Sequence, residues 1–184
     1  NIGAYFIRQG TLALNSNYTL TYIGANLTIT TRAITVTADD QTKVYGNLDP
    51  VLTYQITTGS LVGTDSFTGS LSRDPGENIG VYTIRRGSLA LNSNYTLTFE
   101  GADLTITIRS ITVTADPKTK IYGDSDPLLT YQITAGSLAG NGDAFSGSLT
   151  RDPGEDAGTY AITQGTLGLG SNYELTYIGA DLTI

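Results

Sequence analysis

Residues 34–46 read ITVTADDQTKVYG, and residues 111–123 read ITVTADPKTKIYG. Each stretch alternates apolar and Thr side chains, breaks at an acidic turn, and ends in Lys-x-Tyr-Gly. Strict alternation is the period of a strand with one face buried. The same strand therefore recurs 77 residues on, and the rest of the chain follows it. LTYQITTGSL at 52–61 returns as LTYQITAGSL at 129–138, and RDPGE at 73–77 returns at 151–155. One residue is inserted between these landmarks, where GSLVGTDSF becomes GSLAGNGDAF. A strand cannot absorb one residue without turning its faces over, so this stretch reads as a surface turn.

A third, partial copy opens the chain: NIGAYFIRQGTLALNSNYTLTYIGANLTIT at 1–30 matches NIGVYTIRRGSLALNSNYTLTFEGADLTIT at 78–107. The resulting division is a C-terminal part-repeat at 1–31, a full β repeat at 32–109 and a second at 110–184. A phase starting near Asn1 is the alternative. The apolar set Leu104, Ile106, Ile108 sits on even numbers, and Ile111, Val113, Ala115 on odd ones. One continuous strand would keep its phase. The last strand of one repeat is thus expected to run almost directly into the first strand of the next, across Arg109–Ser110 and likewise across Thr31–Arg32. Such a joint is short and stiff. The start at Asn1, inside the pattern and without an initiator Met, reads as a piece of a longer protein.

Composition agrees with an all-β reading. Gly is 22, Tyr 12 and Pro 5, Thr is abundant, and helix formers are scarce. Six or seven strands per repeat are expected, near 34–38, 42–45, 51–57, 67–72, 80–86, 95–100 and 103–108. Glu100–Gly101–Ala102 reads as a hairpin between the last two. The fold class expected is mainly β: small β-sandwich-like repeat domains arranged end to end. A β-grasp-like arrangement with one helical turn near 61–66 is the alternative. A unit of this size is small for a self-sufficient core, and stacking on a neighbour adds buried surface.

Several function classes are disfavoured at once. Lys+Arg is 10 against Asp+Glu 17, a net charge of −7, which opposes a nucleic-acid partner. No apolar run approaches the roughly 18 residues of a membrane span. Cys, His, Met and Trp are all absent, so the usual Ser/His and Cys/His nucleophile pairs and ordinary zinc sites are missing. Paired carboxylates could serve a glycosidase, but the acids sit at turns on small scaffolds without clefts. The chain is read as a non-enzyme.

The remaining candidates are turns. Arg73, Asp74 and Glu77 recur as Arg151, Asp152 and Glu155, within Arg-Asp-Pro-Gly-Glu. The plain reading is a tight turn pinned by an arginine–carboxylate contact, and the sharper one a shared contact turn for a ligand. Acidic loops at Asp39–Asp40, Asp49, Asp65, Asp116, Asp124, Asp126 and Asp143 offer oxygens, but calcium needs six to eight in one place. No cofactor is expected, structural calcium being the one candidate. Lys43 and Lys120 are equivalent, as are Asn94 and Asn172, so a Lys–Asn cross-link is conceivable. Asn17, Asn26 and Asn94 begin glycosylation-type triplets, which a Thr-rich chain produces by chance. The tyrosines read mainly as core, with an aromatic sugar platform as the sharper alternative.

The ordered set Ile-Thr-Val-Thr-Ala, Lys-x-Tyr-Gly, Asp-Pro, Leu-Thr-Tyr, Gly-x-Tyr, Asn-Tyr-x-Leu-Thr and Gly-Ala-Asp-Leu-Thr-Ile spans both full copies. It resembles the MBG domain family, a mostly-β, glycine-rich module, across the whole chain. The resemblance implies a repeat of large bacterial surface or secreted proteins, many of them adhesin-like. It carries over no catalytic residue and no fixed ligand site. The expected role is a stalk or spacer at the cell surface or outside it, with neighbouring repeats as first partners. The alternative is a low-affinity multivalent module for glycan or a host or matrix protein. Arg85 and Arg86 become Thr163 and Gln164 in the second copy, which favours a spacer whose surface varies freely.

Overall fold

The computed structural model describes residues 1–184 and contains strands, turns and no helix. The part-repeat supplies β1 (Gly3–Phe6) and β2 (Asn26–Ile29), paired antiparallel from Gly3↔Ile29 to Phe6↔Asn26. The first full repeat supplies β3 (Arg32–Ala38), β4 (Gln41–Val44), β5 (Tyr54–Thr58), β6 (Ser72–Arg73), β7 (Gly80–Arg85), β8 (Tyr95–Glu100) and β9 (Ala102–Thr107). The second supplies β10 (Arg109–Ala115), β11 (Lys118–Thr119), β12 (Tyr131–Ala135), β13 (Thr150–Arg151), β14 (Thr159–Thr163), β15 (Tyr173–Ile178) and β16 (Ala180–Thr183).

Both full repeats have the same topology. A three-stranded sheet has the order β5-β3-β8, repeated as β12-β10-β15. A four-stranded sheet has the order β4-β9-β7-β6, repeated as β11-β16-β14-β13. The first strand of each repeat lies parallel to the sixth, with Ile34↔Leu97 and Ile111↔Leu175 in register. It lies antiparallel to the third, with a register shift between Thr35 and Val36 and between Thr112 and Val113. The chain is mainly β and built of tandem β repeats.

Two compact units emerge. Unit 1 comprises Asn1–Asp39, Leu52–Asp74 and Thr83–Ala102. Unit 2 comprises Asp40–Val51, Pro75–Tyr82 and Asp103–Ile184. Unit 1 has a core of Ile34, Val36, Leu89 and Tyr95, against which Tyr54, Phe67 and Leu97 pack. Unit 2 is built around Ile111, Val113, Leu149, Ile162, Leu167 and Leu182, and Tyr45 and Ile106 belong to the same cluster. In β10 the alternation predicted from sequence is the burial observed: Ile111, Val113 and Ala115 are buried and the threonines between them half-exposed.

Four expectations need correction. Glu100–Gly101–Ala102 is not a hairpin, because β8 and β9 belong to different sheets and the chain turns a corner between them. The helical turn near 61–66 is absent; a backbone bond from Asp65 to Val62 closes a simple turn there. The strand placed at 67–72 shrinks to Ser72–Arg73 plus an isolated bridge from Thr68 to Ala90, since Gly69–Ser70 gives the pleat little to pack. Ile108 is exposed rather than part of the buried alternation; it is the single residue between β9 and β10, where the phase changes.

Candidate functional site

A densely bonded polar and aromatic feature of unit 2 is built on Tyr45–Gly46–Asn47, the continuation of β4. Parallel pairing of β4 with β9 carries the chain out past Val44, and the Tyr45 amide donates to the Thr107 carbonyl at 2.9 Å. The Tyr45 ring is only 6% exposed. It meets the Tyr173 ring edge-on, with centroids 5.5 Å apart. Both hydroxyls donate to Asp143 Oδ2, Tyr173 at 2.7 Å and Tyr45 at 3.1 Å. The Tyr173 hydroxyl also accepts the Ala139 amide at 2.9 Å, and burial raises its pKa above the ordinary 10. Arg109 closes the site from the other side. Its Nε donates to the Tyr45 carbonyl at 2.7 Å and its Nη2 to Asn47 Oδ1 at 2.6 Å.

Gly46 decides how closely this segment approaches. Its φ is +78°, a conformation open chiefly to glycine, and a Cβ there would lie 2.2 Å from the Ala139 Cβ. A second segment, Asn78–Ile79, is bonded through one carboxamide: Asn172 Oδ1 accepts the Ile79 amide at 3.0 Å, and Asn172 Nδ2 donates to Asn78 Oδ1 at 2.9 Å. Residues numbered in the first repeat are thus held on the second by a buried ring, a glycine contact and several charge-assisted or neutral hydrogen bonds. The arrangement can fix the geometry of the segment.

The charged turn lies elsewhere in unit 2. Arg151 Nε and Nη2 grip Asp126, at 2.7 and 3.1 Å, and Nη2 also pairs with Glu155. Arg151 Nη1 donates to the Asp152 carbonyl at 2.9 Å, and the guanidinium stacks 5.4 Å from the Tyr160 ring centre. Lys120 Nζ bonds Asp126 at 2.7 Å and Glu155 at 2.5 Å. Hydrogen bonds from Arg151 first, and then Lys120, lower the Asp126 carboxyl from 3.8 to about 2. The same partners hold Glu155 below its usual value. Lys43 makes the matching pair of bonds, both 2.6 Å, to Asp49 and Glu77. Burial pulls its pKa down, but the bonds to Asp49 and then Glu77 outweigh this and raise it.

The predicted turn residues are therefore placed as follows. Arg151 and Glu155 come together with Asp126 and Lys120, two partners that sequence reading did not join to them. Asp152 contributes backbone: its amide donates to the Ala161 carbonyl. In unit 1, Asp74 makes a two-pronged bond with Arg85, one prong being 2.7 Å, and Arg73 donates to the Asp74 carbonyl at 3.0 Å. Glu77 is engaged with Lys43. The Lys–Asn pairing is corrected: Lys120 faces Asp126 and Glu155, whereas Asn172 is bonded to Asn78 and Ile79. Asn94 likewise accepts the Ile2 amide at 3.2 Å.

The sequence presents Tyr45 as core and Asp143 as one of the acidic-loop oxygens; it assigns Arg109 no role and joins neither to the tyrosine. A signal existed for both. Arg32 and Arg109 begin β3 and β10 at matching positions, and Asp65 and Asp143 keep their place before Phe67 and Phe145 although a residue is inserted just ahead.

A family model, the MBG domain (YGX type), matches residues 34–105 and again 111–183. The chain belongs to the MBG domain family. The two matches coincide with the tandem β repeats traced above, and Tyr45–Gly46–Asn47 and Tyr122–Gly123–Asp124 are the Tyr-Gly-x segments of these MBG domains. No curated protein and no solved structure matches the chain.

Proposed function

We propose that these MBG domains are structural spacer repeats of a large bacterial cell-surface or secreted adhesin-like protein, holding an adhesive region away from the cell. The observation that carries this reading is the Tyr45–Gly46 joint in unit 2. A ring buried to this degree and anchored by Asp143 and Arg109 resists bending, which is what a spacer requires. Surface positions drift between copies, as Arg85 to Thr163, while Tyr45, Gly46, Arg109, Asp143 and Tyr173 recur as Tyr122, Gly123, Arg32, Asp65 and Tyr95. In this reading the chain has no catalytic role and no cofactor, and its first partners are neighbouring repeats. The carboxylates that could serve as acid and base, Asp126 and Glu155, are already committed to Lys120 and Arg151. Location outside the cell rests on the family's typical setting.

Small-angle X-ray scattering on arrays of one, two and four full repeats tests the reading. A spacer adds a constant length per repeat, about 30–40 Å from strand rise and strand length. A maximum dimension that stalls or scatters as repeats are added would sink the spacer reading.

A further inference from the structure

One corner of the fold occurs three times in the chain, and the middle copy differs. Phe99 and Ile84 in the first repeat correspond to Tyr177 and Ile162 in the second, and to Tyr22 and Ile7 in the part-repeat. The Tyr177 hydroxyl donates to the Ile162 carbonyl at 2.9 Å, and the Tyr22 hydroxyl to the Ile7 carbonyl at 2.7 Å. Phe99 has no hydroxyl, so the Ile84 carbonyl lacks this donor. A carbonyl oxygen has two lone pairs, and a ligand hydroxyl can take the place of the missing one.

The neighbouring charges differ at the same corner. Gln164 Nε2 donates to the Leu167 carbonyl at 2.8 Å and Gln9 Nε2 to the Leu12 carbonyl at 2.6 Å, so in two copies this side chain is tied to its own turn. Their counterpart Arg86 is exposed and makes no such bond. Beside it, Arg85 is committed to Asp74 through Nε and Nη2. Ile84, both arginines and Phe99 line a cleft of about 290 Å³ in unit 1. Phe99 is half-buried, packs against the core of that unit, and turns its remaining surface to the cleft. Gly101 completes the lining: a Cβ there would lie 2.9 Å from the Ile84 oxygen, so the glycine leaves room over that oxygen.

We propose that this cleft is a binding site for a single acidic sugar residue of the uronic-acid class. Its carboxylate pairs with the Arg86 guanidinium. A ring hydroxyl donates to the Ile84 carbonyl, where a tyrosine hydroxyl donates in the other copies, and the apolar face of the sugar lies on Phe99. A neutral sugar lacks the first contact, and a simple carboxylate lacks the other two. The volume is at the lower end of small-molecule sites, which suits one residue rather than a long segment. The site belongs to the first repeat alone, because Thr163, Gln164 and Tyr177 replace Arg85, Arg86 and Phe99 in the second. It stands whether or not the repeats act as a spacer.

The test is titration of the intact 184-residue protein with sodium glucuronate, and separately with glucose and with acetate, followed by backbone and side-chain NMR shifts. Saturable shifts are expected at Arg86, Phe99 and Gly101 at millimolar glucuronate, and none at Gln164, Tyr177 and Gly179. Glucose and acetate should each bind at least about tenfold more weakly. Arg86→Gln and Phe99→Tyr introduce the residues that the other two copies carry at these positions, so the fold already accepts them. Each should weaken glucuronate binding at least about tenfold, the first by removing the cation and the second by returning a hydroxyl to the Ile84 carbonyl. No saturable shift at these residues, acetate binding as tightly as glucuronate, or unchanged affinity in Phe99→Tyr would each overturn the proposal.

Discussion

Tyr45 and Tyr122 occupy the same place in two copies of one repeat, yet Tyr45 is 6% exposed and Tyr122 69%. Their energetic weight should differ accordingly. Tyr45→Ala removes a buried ring, its edge-on contact with Tyr173 and a hydrogen bond to Asp143, and should cost about 3 kcal/mol. Tyr122→Ala should change stability by less than about 0.5 kcal/mol. Denaturant unfolding of the two variants measures both, and equal effects would remove Tyr45 from the joint. The charged turn calls for a different experiment. Asp126 is held at about 2 by Arg151 and Lys120 against an ordinary 3.8. A carboxyl lowered on folding stabilises the native state fully above its unfolded value and loses that contribution as pH falls through the folded one. Stability should therefore drop between about pH 4 and about pH 2, and Asp126→Asn should flatten that part of the profile. The effect is modest because the cluster faces solvent. An unchanged acid profile in Asp126→Asn, followed by thermal denaturation across that range, would show that the pairing contributes nothing.

At the scale of elements, the strands that open each repeat differ from the short ones. β3 and β10 are each flanked on both sides and bury Ile34 and Val36, or Ile111 and Val113. β11 and β13 are two residues long and stand at sheet edges. Hydrogen exchange should place amides 111–115 among the slowest in unit 2, opening only with global unfolding, and those of β11 and β13 among the fast, locally opening ones. Uniform protection would contradict this. The same contrast explains what could be read in advance. β10 was legible because seven residues suffice for period two to show. Two-residue strands carry no period. The parallel partners β3 and β8 lie about sixty residues apart, and nothing local in either encodes the other. The corner at Glu100–Gly101–Ala102 was misread because a short Gly-containing link looks the same whether the chain folds back or changes sheet. The Arg-Asp-Pro-Gly-Glu turn was visible because its residues are contiguous. The tyrosine seat was not, because Arg109, Asp143 and Asn172 are scattered along the chain and meet only in the fold.

At the scale of the whole molecule, repetition solves a size problem. A domain of some 75 residues buries little surface of its own. Unit 2 enlarges its core with Tyr45 and Ile106 from the preceding repeat. The contact is specific: it needs a ring at 45, no side chain at 46, and an arginine at 109. Gly46→Val is the sharpest perturbation, because the added side chain meets Ala139 while no polar group is lost. The absence of cysteine lets two spin labels be placed cleanly, at the exposed positions Val81 and Ala161. The decisive measurement is the distance distribution between these labels in the native chain and in Gly46→Val. A single narrow peak that broadens in the variant is the predicted result. A broad distribution in the native chain, or a peak equally narrow in Gly46→Val, would contradict the claim that the Tyr-Gly segment fixes one repeat on the next.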